Sequence, residues 1–438
     1  MDQQSPSLWR APRSVSTLTA QVQIPGSKSV MARELILSAL ADGPSRLARP
    51  LRSRDSLLMR FAIEALGATV VEDDSGWIIT PGTTSGDVAI DCGLSGTLMR
   101  FAPGLAALRE GRSSFDGDPV ARTRPMQVLL NGLRQAGVQI EDADRGFLPF
   151  DVIGAGSVTG GVVDIDASAS SQFVTGLLLS AARFERGLTL RHFGEKLPSL
   201  PHVGMTVEAL RRRGVQVDTS VPFQWSVQSG TVSGLSLTVE PDLSNAAPFL
   251  AAALVTGGAV TIADWPLNTT QPGDALRYIL PQLGATVTLD EHGLTAHGGT
   301  IRGVDLDLSA VGELTPVIAA ICMFADSPST LRGVGHIRGH ETDRLRALAT
   351  QLSAIGGSVR DTEDGLQIDP GPLHAGRFAT YGDHRLAHAA AVIGLEVDGI
   401  EIENIETTAK TMPDFAARWT AMSTGSTSGA PAVTELAS

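Results

Sequence analysis

Lysine is scarce in this chain: of 34 basic residues only Lys28, Lys196 and Lys410 are lysines, and the rest are arginines. Two of the three sit in short polar segments, Gly26-Ser27-Lys28-Ser29 and Thr408-Ala409-Lys410-Thr411. Arginines crowd comparable segments: Arg52-Ser53-Arg54-Asp55, Ser95-Gly96-Thr97 with Arg100, Arg122-Thr123-Arg124-Pro125, His340-Glu341-Thr342-Asp343-Arg344 and Asp383-His384-Arg385. Arginine clamps carboxylates and phosphates with two parallel donors, and lysine serves as a compact charge or proton donor. The chemistry these residues suit is the handling of small, strongly anionic substrates.

Other chemistries fit poorly. The Gly26-Ser27-Lys28-Ser29 segment ends like a nucleotide P-loop, but the upstream glycine at the required spacing is missing. No convincing Gly-x-Ser-x-Gly elbow is present. His384 and His388 are four apart without the following glutamate of a zinc motif, and no metal is expected. Cys92 and Cys322 lie far apart and read as buried small hydrophobes. A net charge of −13 argues against nucleic acid or an anionic membrane as partner. Met1 to Arg13 lacks the apolar stretch of a secretion signal, and no apolar run is long enough to cross a membrane, so a cytoplasmic protein is expected. The Ser-, Thr-, Gly-, Ala- and Pro-containing tail after Met422 reads as disordered.

The elements that position these residues repeat. Amphipathic runs such as Asp55 to Leu66 and Asp343 to Ile355 end on Gly67, Gly137, Gly214, Gly284 and Gly356, at steps of 70, 77, 70 and 72 residues. A helix closing on a glycine and turning into a strand accounts for the placement. A second helix, nearly all apolar as in Gln172 to Ala182 and Ala246 to Val255, recurs at the same period. Each unit reads strand, helix, strand, helix, strand, strand, and six units of about 73 residues fill the 438-residue chain. The fold expected is α/β, six βαβαββ repeats in two domains of three. The apolar helices should be buried inside a shell of sheets, and the charged ones exposed.

The polar segments fall at matching points of the repeat. The buried helices start at Gly26-Ser27-Lys28-Ser29, Leu94-Ser95-Gly96-Thr97, Ser170-Ser171-Gln172, Leu243-Ser244-Asn245, Glu313-Leu314-Thr315 and Asp383-His384-Arg385, five of them with Ser or Thr near the capping position. Helix N-termini attract anions. Cations there are unfavourable unless an anion neutralises them, so Lys28, Arg33, Arg100 and Arg385 mark anion pockets. Equivalent ends of repeated units should point alike, so these groups are expected to converge between the domains.

Taken together, the segments resemble the enolpyruvyl transferase family, most closely its phosphoshikimate branch. The matching stretches are Pro25 to Ser29 with Arg33, Ser95-Gly96-Thr97 with Arg100, Arg124-Pro125, Ser170 to Phe173, Glu341 to Leu345, Asp383-His384-Arg385 and Thr408 to Thr411, in family order from about Val22 to Trp419. The resemblance implies two domains, 1–25 with about 241–438 and about 26–240, the chain crossing between them twice. It implies transfer of the enolpyruvyl group of phosphoenolpyruvate to the 5-hydroxyl of shikimate 3-phosphate, without metal or organic cofactor, by a monomer.

Carried over by position, the resemblance implies that Lys28, Ser29, Arg33, Ser170, Ser171, Ser199, Glu313, His336 and His340 bind phosphoshikimate. Lys28, Gly96, Arg124, Gln172, Arg344, Arg385 and Lys410 hold phosphoenolpyruvate. Glu313 is the expected base for the 5-hydroxyl, Glu341 a proton shuttle at the methylene, and Lys28 a stabiliser of charge on the bridging oxygen. Glyphosate, an anionic competitor for the phosphoenolpyruvate pocket, is an implied inhibitor.

Several positions depart from the commoner pattern of the family. Glu313 stands for an aspartate, His336 and His340 for an asparagine and a lysine, His202 for a tyrosine and Leu94 for an asparagine. The paralogous UDP-N-acetylglucosamine enzyme has an asparagine after its lysine, where this chain has Ser29. That enzyme also usually carries a reactive cysteine on a loop that here, Phe115 to Arg124, has none. An RNA 3′-phosphate cyclase, built on a related unit, fits neither the acidic balance nor the six repeats.

Overall fold

The computed structural model describes residues 7–14, 16–425 and 433–434. They form two compact units, Met1–Pro25 with Glu240–Ser438 and Gly26–Val239, each with its own hydrophobic core.

The unit spanning Gly26–Val239 holds helices α1 (Lys28–Ala39), α2 (Arg54–Ala65), α3 (Gly96–Ala106), α4 (Gln127–Gln135), α5 (Gln172–Ala181) and α6 (Leu200–Arg212). The other holds α7 (Leu243–Thr256), α8 (Leu276–Gln282), α9 (Thr315–Cys322), α10 (Arg344–Ala354), α11 (His384–Gly394) and α12 (Phe415–Thr424). The odd-numbered helices are the apolar ones. Every residue of α3, α9 and α11 is buried, whereas α2, α4 and α6 each alternate buried and exposed positions. That contrast follows from apolar side chains all round one set and a single apolar stripe on the other. Within each unit three buried helices thus lie inside three sheets.

The sheets carry the repeat. In the second repeat Val88–Asp91 pairs in parallel with Glu110–Asp116, Glu110–Asp116 antiparallel with Phe150–Ala155, and Phe150–Ala155 antiparallel with Gln139–Glu141. The repeats at Gly161–Val227 and Asp305–Asp369 have the same order. Two repeats are completed by distant chain. Ser236–Thr238 supplies the parallel first strand beside Ser45–Ala48, and Thr19–Val22 does so beside Ala259–Ala263. A third, the sheet of Gly376–Phe378 and Ile400–Glu403, is finished by Leu8–Arg10 from the start of the chain. The closures by Thr19–Val22 and Leu8–Arg10 are the physical reason one unit is assembled from two stretches of sequence.

Glycines end the outer helices where the sequence asks for them. Gly67 and Gly356 adopt φ of 116° and 111°, and a Cβ at Gly67 would lie 2.8 Å from the backbone of Thr83 and Thr84. A further glycine sets helix spacing: a Cβ at Gly176 would fall 2.2 Å from the Arg100 carbonyl, so α5 can approach α3 this closely there only with a glycine.

Two sequence expectations change. Helix α7 is capped by Asp242, whose carboxylate accepts from the Asn245 amide at 2.9 Å, so Ser244 lies inside the first turn rather than at the cap. Order also persists past Met422: α12 runs to Thr424, and Val433–Thr434 pairs antiparallel with Gln21–Val22. The rest of the tail lies outside the described residues.

Candidate active site

Each unit gathers one polar cluster at the starts of its helices. In the Gly26–Val239 unit, Ser27 caps α1 by accepting from the Val30 amide at 3.4 Å, and Lys28 is the first helical residue. Its ammonium lies 3.5 Å from the buried carboxylate of Asp55, in the first turn of α2. Ser29 is half-buried beside it.

Arg33, one turn on, is buried and ties α1 to α6. It donates to the Ser29 carbonyl at 2.7 Å, the His202 carbonyl at 2.8 Å and the Thr206 hydroxyl at 2.9 Å. Three of its five N–H groups are thereby engaged with protein. Burial lowers its pKa to about 9, with Glu34 opposing, so it stays cationic at neutral pH.

Gly96 opens α3 under the guanidinium of Arg124, where a Cβ would meet Nη1 at 2.6 Å. Arg124 also reaches the Leu94 carbonyl at 3.5 Å. At the start of α5, Ser170 accepts from the Gln172 amide at 3.3 Å, and Ser171 is buried. Ser199 precedes α6 with φ 52° and ψ 40°, a left-handed conformation that non-glycine residues adopt uncommonly.

In the other unit Glu313 sits in a 3-10 turn, Gly312–Leu314, ahead of α9. Ser244 donates to its Oε1 at 3.3 Å. The turn is crowded by His336: a Cβ on Gly312 would come within 2.6 Å of His336 Nε2. Burial lowers the pKa of His336, against the pull of Glu313 and with the repulsion of Arg344. His336 and His340 have ring centroids 5.9 Å apart.

Glu341, Arg344, Asp383, Arg385 and Lys410 form one network. Arg344 donates to Glu341 Oε2 at 2.7 Å and to Asp383 at 2.6 and 3.2 Å, and Lys410 pairs with Glu341 Oε1. Arg344 Nη1 also lies 2.8 Å from His340 Nδ1. A guanidinium only donates, so that nitrogen must accept and His340 is neutral in this arrangement. Arg385 donates to the Ser244 carbonyl at 2.8 Å. Burial lowers its pKa, opposed by Asp242 and assisted by Arg344. Burial would lower that of Arg344 as well, but Asp383, Glu341 and Glu313 raise it overall.

One premise of the sequence reading is corrected here. Of the four cations taken to mark anion pockets, Lys28 faces Asp55; Arg344, opposite Asp383 and Glu341, and Lys410, opposite Glu341, are likewise neutralised from within. Asp55, Ser244 and Asp383 are not among the site residues expected from the sequence. Asp55 and Asp383 stood in the polar segments already noticed, but a short acidic residue at a helix start reads as a cap, and Asp383 does cap α11. No group of three or more His, Cys, Asp or Glu side chains that could hold a metal ion occurs among the described residues. Among them, too, no helix is long and apolar enough to cross a membrane.

Comparison with known proteins identifies the architecture. Residues 12–419 match the family described as EPSP synthase (3-phosphoshikimate 1-carboxyvinyltransferase). A 3-phosphoshikimate 1-carboxyvinyltransferase of Kocuria rhizophila is 54% identical over 425 residues, covering 94% of this chain and 96% of that protein. The EPSP synthase of Acinetobacter baumannii superposes with a TM-score of 0.76 at 24% identity, over 96% of this chain and 97% of its own. The enolpyruvyl transferase NikO of Streptomyces tendae superposes with 0.74 at 19% identity, over 94% and 96%. These last two likenesses speak to the fold. The chain belongs to the EPSP synthase family, the transferases that move an enolpyruvyl group in the shikimate pathway.

Proposed function

We propose that the chain joins phosphoenolpyruvate to shikimate 3-phosphate through the residues whose types first drew attention. Lys28, Ser29, Arg33, Ser170, Ser171, Ser199, Glu313, His336 and His340 bind phosphoshikimate. Lys28, Gly96, Arg124, Gln172, Arg344, Arg385 and Lys410 bind phosphoenolpyruvate. Arg33 takes part with the N–H groups left over from its three internal bonds.

The chemistry needs an acid, a base and cationic clamps. The phosphoenolpyruvate methylene gains a proton, C2 takes on oxocarbenium character, and the 5-hydroxyl oxygen bonds to C2 as its proton passes to Glu313. The adduct then loses a proton from the new methyl group as the C2–O bond to phosphate breaks and inorganic phosphate leaves. Glu341 carries the proton at that carbon, and Lys28 offsets charge on the bridging oxygen. The observation that carries the reading is the pairing of Glu341 with both Arg344 and Lys410, which sets a carboxylate among cations suited to an enol phosphate. His340, neutral and accepting from Arg344, contacts phosphoshikimate through its other nitrogen. The protein works as a cytoplasmic monomer with no nucleic-acid partner, and glyphosate competes with phosphoenolpyruvate.

Phosphate release measured with phosphoenolpyruvate and either shikimate 3-phosphate or UDP-N-acetylglucosamine tests this. Release is expected only with shikimate 3-phosphate; folded protein that releases none with it overturns the reading.

A further inference from the structure

Gln172, the first residue of α5, has a side-chain amide with two unlike faces, and Arg100 determines which one is presented. Arg100 Nη1 donates to Gln172 Oε1 at 2.6 Å, and Nη2 donates to the Pro125 carbonyl at 3.2 Å. A guanidinium has five donors and no acceptor, so only the oxygen of the amide can face it. The NH2 group must then point the other way, and it makes no hydrogen bond among the described residues.

Arg100 itself is held in place. It is buried, its guanidinium lies 5.2 Å from the Phe173 ring centroid, and its carbonyl is closely approached by α5 at Gly176. The same side chain therefore fixes Gln172 and the carbonyl of the residue following Arg124. Gln172, and Arg124 beside that carbonyl, belong to the phosphoenolpyruvate set proposed above.

We infer that Arg100 is a positioning residue that sets the polarity of the Gln172 amide, so that this corner of the site offers N–H donors to an anion and no competing oxygen. The inference rests on the reading that Gln172 holds phosphoenolpyruvate. Without Arg100 the amide is free to turn, and half of its orientations present a carbonyl oxygen to a carboxylate or phosphate. The penalty falls on phosphoenolpyruvate, the substrate to which the proposed reading assigns Gln172.

Steady-state kinetics on the full chain test this with a double-mutant cycle. Gln172→Ala is expected to raise KM for phosphoenolpyruvate about tenfold, the size of one lost hydrogen bond to a charged group, and to leave KM for shikimate 3-phosphate within about twofold. An unchanged KM in that variant removes Gln172 from the site, which overturns the underlying reading before Arg100 is considered. Given the expected change, Arg100→Met should also cost about tenfold in KM for phosphoenolpyruvate, and the double variant should stay well short of the roughly hundredfold product. Penalties that multiply, or an Arg100→Met enzyme with normal KM, overturn the inference. Should Arg100→Met not fold, Arg100→Lys keeps the charge and one donor. It is expected to hold KM for phosphoenolpyruvate within about threefold of the parent. A loss near tenfold there, with an unchanged melting temperature, overturns the inference as well.

Discussion

Arg344 and Asp383 meet side by side, Nε to one carboxylate oxygen at 2.6 Å and Nη2 to the other at 3.2 Å, both groups buried. The same carboxylate accepts from the Arg385 amide at 2.9 Å and so starts α11. One aspartate thereby orients the first residue of α10 and the first turn of α11, each of which brings an arginine to the site. Asp383→Asn keeps the shape but turns one acceptor into a donor that must face a guanidinium or an amide. Breaking a buried ion pair costs about 3–5 kcal/mol when the remaining charge is left unpaired; Arg344 keeps Glu341, so stability in urea should fall by up to about that much. KM for phosphoenolpyruvate should rise more than KM for shikimate 3-phosphate. A variant as stable as the parent, with both constants unmoved, removes Asp383 as the organiser of this pair.

Much of this arrangement could be read from the chain. Glycine spacing and the contrast between apolar and amphipathic helices revealed the six repeats, because helix burial and helix ending are local properties. The strand closures were less legible. Nothing in Ser236–Thr238 or Leu8–Arg10 says which sheet it completes, since a three-residue strand has too little pattern to choose a partner. The cations were visible as residue types, but their neutralisation was not. Lys28 and Asp55 are 27 positions apart, Arg344 and Asp383 are 39, and only the packing of successive helices brings them together.

Glu313 is held by the Ser244 hydroxyl at 3.3 Å in a turn hemmed in by His336. As the proposed base for the 5-hydroxyl, it should be indispensable to turnover and of little weight in binding. Glu313→Gln is expected to lower kcat by about a hundredfold or more while phosphoshikimate still binds, in the range typical of a lost general base. Calorimetric titration beside the rate measurement separates the two. Near-normal turnover would remove it as the base. Ser244→Ala, which loses one hydrogen bond to that carboxylate, should cost about tenfold in kcat at most.

Gly96 has no room for a side chain. A Cβ there would stand 2.6 Å from Arg124 Nη1 and 2.8 Å from Cζ, well inside contact distance, so Gly96→Ala must push the guanidinium aside. Arg124 is a long side chain and can yield, which makes the expected change one of affinity rather than folding. KM for phosphoenolpyruvate should rise by about tenfold or more, the cost of a weakened charge-assisted bond, with the melting temperature within about 2 °C of the parent. An unchanged KM in the alanine variant means that Arg124 does not bind this substrate.

His384 and His388 sit one turn apart on α11, fully buried, with ring centroids 5.9 Å from each other and His388 4.5 Å from Phe415. Neither nitrogen of His388 has a hydrogen-bond partner among the described residues. Burial lowers both pKa values well below the ordinary 6.5. Arg385 and Arg344 add to this at both, Lys410 adds at His384, and Glu341 opposes at His384. Above about pH 6.5 both rings are neutral whether folded or not, and they contribute nothing to the pH dependence of stability. Below it the unfolded chain takes up protons that the folded chain refuses, so stability is lost as the pH falls, down to the depressed folded values. Each ring should account for about 1.4 kcal/mol between pH 7.5 and 5.5. His388→Leu fills the same space without orphaned nitrogens. Its urea-unfolding free energy should therefore fall about 1.4 kcal/mol less than that of the parent over that interval. Parallel pH profiles for the two proteins would mean that His388 is protonated alike in the folded and unfolded chain.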